Sequence, residues 1–98
     1  VYNKLIKVIT IASQKGQVII GLEPQIDSEM DGLNHVVVDV NKRLLSYAAE
    51  NNMKTIDFYR VLHEADQIGQ IVFAGEVHPN ERGYRLMAYK ALETFTRL

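Results

Sequence analysis

Only two stretches of this 98-residue chain have the character of β-strands, and that shortage constrains its fold more than any other feature. Val18-Ile19-Ile20 is an unbroken β-branched run ending at Gly21, the pattern of a strand buried on both faces, as in a parallel sheet. Lys54 to Tyr59 alternates and contains Ile56 and Phe58, so strands are expected at Val18–Leu22 and Thr55–Phe58. The rest is largely helical in period. Val1, Leu5, Val8, Ile9 and Ala12 mark a helix over residues 1–12, which Gly16 is placed to end. A second helix runs from about Asn34 to Asn51-Asn52, with Val37, Val40, Leu44, Tyr47 and Ala48 on one face. Residues 60–69 form a short helix closed by Gly69. A last helix begins near Glu81, with Tyr84, Met87, Ala88, Ala91, Phe95 and Leu98 at spacings of three and four. Residues 22–34 carry acids and turn formers and read as a loop, and Gln70 to Val77 is irregular.

The order α-β-α-β-(short α)-loop-α predicts an α/β domain whose two strands are parallel and adjacent, with the helix from Asn34 crossing between them. Two strands make a poor sheet, because each open edge exposes unpaired backbone groups. Three amphipathic helices also need more sheet surface than two short strands provide. The chain begins inside a helix at Val1 rather than at a methionine. It therefore reads as a piece of something longer, a single portion over residues 1–98 that self-associates or pairs with a complementary half.

Composition narrows the partners. The chain is 47% hydrophobic and 23% charged with a formal net charge of -1, and its basic residues are scattered. That gives no electrostatic reason to expect nucleic acid or an anionic membrane. The longest apolar run is four or five residues, too short to span a bilayer. The absence of cysteine excludes disulfides and thiolate chemistry and is silent about compartment.

The densest chemical signal is Gly75-Glu76-Val77-His78-Pro79-Asn80-Glu81-Arg82-Gly83-Tyr84. Pro79 pushes His78 out of helical geometry, so its imidazole sits on a loop. Asn80 is a good N-cap, Glu81 suits the positive end of the helix dipole, and Gly83 allows close backbone approach in the first turn. The outcome is a histidine with little freedom, a way to present a general base. A lone His-Pro at a helix entry more often serves only the turn.

The surrounding string favours chemistry. His-Pro-Asn-x-x-Gly-Tyr followed by an apolar helix resembles the last block of the SGNH hydrolases, also called GDSL lipases and esterases. Gln17 to Pro24 is similar to the strand and following loop of that family, Asn34 to Asn52 to its next helix, and Thr55-Ile56-Asp57-Phe58-Tyr59 to its final strand. The resemblance covers essentially the whole chain, as a C-terminal half. It implies a flavodoxin-like three-layer α/β/α sandwich, and a serine hydrolase acting on carboxylic esters without a cofactor or metal. In that scheme His78 is the general base that takes the proton of a serine hydroxyl. The family's Gly-Asp-Ser block and its oxyanion Gly and Asn are not found here. Ser13, Ser28 and Ser46 stand at a helix end, in an acidic loop and inside a helix, so the chain is expected to be inactive alone.

The family's usual acid stands three residues before the histidine, where this chain has Gly75. Glu76 is the nearest carboxylate. It either orients His78 or is a solvated loop acid, in which case the parent works as a Ser-His dyad. His35, at a helix start, is expected to be structural or exposed, and His63 to be exposed on the short helix. Glu76, His78 and His63 lack the spacing of a helical zinc motif. Tyr84, Tyr89 and Phe95 read as core packing against the sheet. The alternative to an ester hydrolase is a non-catalytic α/β module that self-associates or pairs with a complementary half, the histidine serving only its turn.

Overall fold

The β-branched run after Gly16 does pair with the segment after Asn52. In the computed structural model, which describes residues 2–14, 16–27, 31–75 and 78–97, β1 (Ile19–Gly21) lies parallel to β2 (Lys54–Ile56). Ile19 stands opposite Lys54 and Gly21 opposite Ile56, and a bond from Leu22 N–H to the Ile56 carbonyl (2.9 Å) closes the ladder. Both strands are shorter than predicted. The second stops early because Asp57 is a helix cap, its carboxylate accepting from the Arg60 N–H at 2.9 Å, so Phe58 belongs to a helix and not to the strand.

Four helices surround these strands among the described residues: α1 (Tyr2–Ser13), α2 (Asp31–Glu50), α3 (Phe58–Gln67) and α4 (Glu81–Thr96). α2 starts three residues before Asn34. Asp31-Gly32, read from the sequence as loop, lies in its first turn. Asn52 adopts positive φ (54°) at its end, and Met53 N–H bonds the Ala48 carbonyl at 2.8 Å, as expected of the Asn51-Asn52 stop. α3 closes on Gly69 (φ 85°), whose N–H reaches the Asp66 carbonyl while Gln70 N–H reaches that of Ala65, both at 3.0 Å. The stretch read as irregular contains β3 (Phe73–Gly75), which pairs antiparallel with β4 (His78–Pro79) across a bulge between Phe73 and Gly75.

Two cores form among the described residues. Ile9 of α1, Ile20 and Leu22 at β1, and Leu44 and Ala48 of α2 are buried together. Leu62 and Ala65 of α3 are buried with Val72, against Leu86 and Met87 of α4. α4 uses its expected stripe only in part, through Met87 and Ala91. Its inward face is Gly83, Leu86, Met87, Lys90, Ala91 and Thr94, whereas Tyr84, Tyr89 and Phe95 are 54%, 63% and 53% exposed. The rotation follows from Gly83, the residue small enough to let the helix touch the backbone at Val72.

The unit exposes much surface. Its 6872 Å² exceeds the roughly 5,700 Å² of a compact monomer of this mass. The Cα radius of gyration is 14.1 Å, against about 12.6 Å for a compact chain of this length. The molecule measures 41 × 30 × 17 Å. Layers pack about 10 Å apart, so 17 Å holds two of them.

Two glycines permit close contacts of different kinds. A Cβ on Gly21 would meet the edge of the Phe58 ring at 2.8 Å, a side chain that can swing. A Cβ on Gly83 would press on the Val72 carbonyl oxygen and lie 2.9 Å from Pro79 Cβ, neither of which can move freely. Gly83→Ala should therefore lower stability in urea by about 2–3 kcal/mol, and Gly21→Ala by about 1 kcal/mol. Equal losses would contradict this account of the contacts.

Candidate active site

His78 is fixed through its backbone. It stands opposite Gly75 in the β3–β4 pair, and the next residue, Pro79, is buried. Asn80 then makes the junction rigid. Its backbone N–H donates to the Val72 carbonyl (2.8 Å), its Nδ2 to the Ile71 carbonyl (2.9 Å), and its Oδ1 accepts from Gly83 N–H (2.9 Å). The Asn80 carbonyl accepts the first helical bond, from Tyr84 N–H at 2.9 Å. One carboxamide thus caps α4 and ties it to the segment leaving α3. The predicted cap and close glycine are present, whereas His78, expected on a loop, lies in the two-residue strand β4.

The imidazole is exposed, and no described residue hydrogen-bonds to it. Glu76 and Ser28 lie outside the described residues. Ser13 Oγ donates to the Thr10 carbonyl of its own helix at 2.9 Å, and Ser46 is exposed on α2. Neither hydrogen-bonds to His78. His35, the fifth residue of α2, is exposed. Among the described residues no three His, Asp or Glu side chains are grouped to hold a metal ion.

His63 corrects the expectation of an exposed position. It is half-buried, stacked on Tyr59 (ring centroids 5.8 Å apart, planes at 19°), with Nδ1 2.6 Å from Gln25 Oε1. Gln25 is buried, and its Nε2 donates to Asp66 Oδ2 at 3.1 Å. Sequence reasoning missed Gln25. The available signal was His63 and Asp66, three apart on a helix and hence on one face, opposite a polar residue beside Pro24. Asn41 was also missed: nearly buried, it accepts from Glu23 N–H (2.7 Å) and donates to the Glu23 carbonyl (2.9 Å).

An exposed imidazole on a backbone held from both sides, in an α/β chain, is the presentation a hydrolytic general base needs. The chain is 74% identical over its whole length to a member of the lipolytic G-D-S-L family from Veillonella parvula DSM 2008, with a TM-score of 0.92. It covers 54% of that solved chain, and so spans about half its length. No protein-family model matches the chain, and no curated protein does. The resemblance carried by the His-Pro-Asn block thus extends along the whole chain, which is the counterpart of about half of a G-D-S-L family protein.

The two bonds of the Asn80 side chain allow a graded test. Asn80→Ala removes the cap and the tie to Ile71 and should cost about 2–3 kcal/mol in chemical denaturation. Asn80→Asp keeps the cap acceptor but turns a second oxygen toward the Ile71 carbonyl, so its loss should fall between wild type and Asn80→Ala. An Asn80→Asp variant less stable than Asn80→Ala would contradict this division of roles.

Proposed function

We propose that this chain is the histidine-bearing portion of a GDSL-type serine esterase or acylhydrolase, with His78 as general base and then general acid. The observation that carries the reading is the capped, doubly anchored His78-Pro79-Asn80 block in a chain 74% identical to a lipolytic protein. His78 takes the serine hydroxyl proton as the serine oxygen bonds to the acyl carbon, and gives it to the alcohol as the ester bond breaks. It then takes a proton from water as the water oxygen bonds to the acyl carbon, and gives that proton to the serine oxygen as the acyl–serine bond breaks, which releases the acid and restores the serine. The substrate class is a carboxylic ester. The serine and the oxyanion donors come from the complementary portion, so the chain alone is not an esterase.

The complete fold on this reading is a flavodoxin-like three-layer sandwich. The 17 Å thickness and the excess exposed surface support a missing layer, with the complementary portion covering the open strand edge and the exposed helix faces. Glu76 is the candidate to orient the imidazole, and a backbone carbonyl takes that role if the parent is a dyad.

In the complete protein, His78→Ala should lower ester hydrolysis by about 10³-fold or more with the fold intact, because the serine loses its base. Glu76→Gln should cost a comparable factor if it orients His78, and far less in a dyad. Full activity in His78→Ala would leave the block with a turn-forming role only and defeat the esterase reading.

A further inference from the structure

The segment leaving β1 is held at three points by carboxamides. Asn41 pairs with both backbone groups of Glu23, and Asn34 with both of Ile26, accepting from its N–H at 2.9 Å and donating to its carbonyl at 3.0 Å. Between them Gln25 turns inward, 4% exposed, and bridges His63 and Asp66 on α3. Its orientation is determined by chemistry. A carboxylate only accepts, so the amide nitrogen must face Asp66, the oxygen must face His63, and Nδ1 of His63 must carry a hydrogen.

α3 and its exit also hold the histidine loop. Beyond the Gly69 turn, the Ile71 and Val72 carbonyls accept from Asn80. One short element therefore sets two loops, the one leaving the C-terminal end of β1 and the one carrying His78. In parallel α/β folds, sites lie at that end of the strands. A cleft of about 220 Å³ lies between the end of the loop leaving β1 and the exit of α3. Asp27 walls it on one side, and Asp66 with the segment from Gly69 to Phe73 on the other. Phe73 is the register partner of Pro79, so the cleft wall and the His78 strand form one hairpin.

We propose that Gln25 is a positioning residue of the hydrolytic site. Its bridge to His63 and Asp66 fixes the loop after β1 against α3, whose exit holds the hairpin that presents His78, and the cleft between that loop and the exit receives a short substituent of the ester. This rests on the esterase reading above. The bridge spans side chains 38 and 41 residues from Gln25 in sequence, so it is a tertiary lock and not a local turn. Its loss would let the loop shift while the His78 backbone, held separately by Asn80, stays in place.

The test is made in the complete hydrolase. Nitrogen-15 NMR should find the hydrogen of neutral His63 on Nδ1, and Gln25→Leu should abolish that preference. With active sites counted by a fluorophosphonate, Gln25→Leu should raise KM for an ester with a branched substituent about tenfold and leave KM for an acetate ester unchanged. Asp66→Asn, which retains an oxygen facing Gln25, should behave as wild type. A merely structural loss would reduce the number of titratable sites and leave KM unaltered for every ester. Hydrogen on Nε2 of His63, or an unaltered KM for the branched ester in Gln25→Leu, overturns the inference. A fully active His78→Ala enzyme would overturn the esterase reading instead, while the tautomer of His63 still reports whether the bridge exists.

Discussion

The contact on which the molecule turns is the approach of Gly83 to the Val72 carbonyl, locked by the bonds of Asn80. Val72 is fully buried against Leu62 and Ala65, so it is a fixed point. Resting the first turn of α4 on that point decides which face of the helix packs inward. It also draws Pro79 into the interior and leaves His78 beside it, outward-facing, with no backbone freedom to lose. A capped helix start next to a fixed strand is a precise way to hold one side chain, because cap and strand constrain the same three residues.

That contact also explains which parts of the structure were legible. The His-Pro-Asn-x-x-Gly string encodes a local device: proline, cap and glycine act within six residues, and each appears as read. The parallel strands were legible for a similar reason, since β-branched runs bounded by glycine and asparagine are local signals. What escaped is non-local. The pairing of Phe73–Gly75 with His78–Pro79 has too few residues to show a period. The stripe of α4 was partly misplaced because a glycine carries no hydrophobic signal, yet Gly83 sets the contact face. His63 was read as exposed because its partner, Gln25, is 38 residues away.

The division into two cores has the same physical origin. Each helix buries its apolar face against whatever strand surface exists, and three-residue strands offer little. The core of α1, β1 and α2 and the core of α3, α4 and Val72 are each too small to enclose the remaining apolar side chains. Tyr84, Tyr89 and Phe95 stay outside for that reason. A histidine strand held within one core, beside exposed apolar side chains, accords with a chain that spans about half of a solved G-D-S-L protein.

The central claim, that a preformed base awaits a nucleophile carried elsewhere, is tested most directly by serine labelling. A fluorophosphonate probe should leave this chain unlabelled on its own. Mixed with the complementary Gly-Asp-Ser-bearing portion, it should give stoichiometric labelling of that portion's serine, lost when His78→Ala replaces the wild-type chain. Stoichiometric labelling of the isolated chain that disappears in Ser28→Ala would contradict the account, because the nucleophile would then lie within these 98 residues.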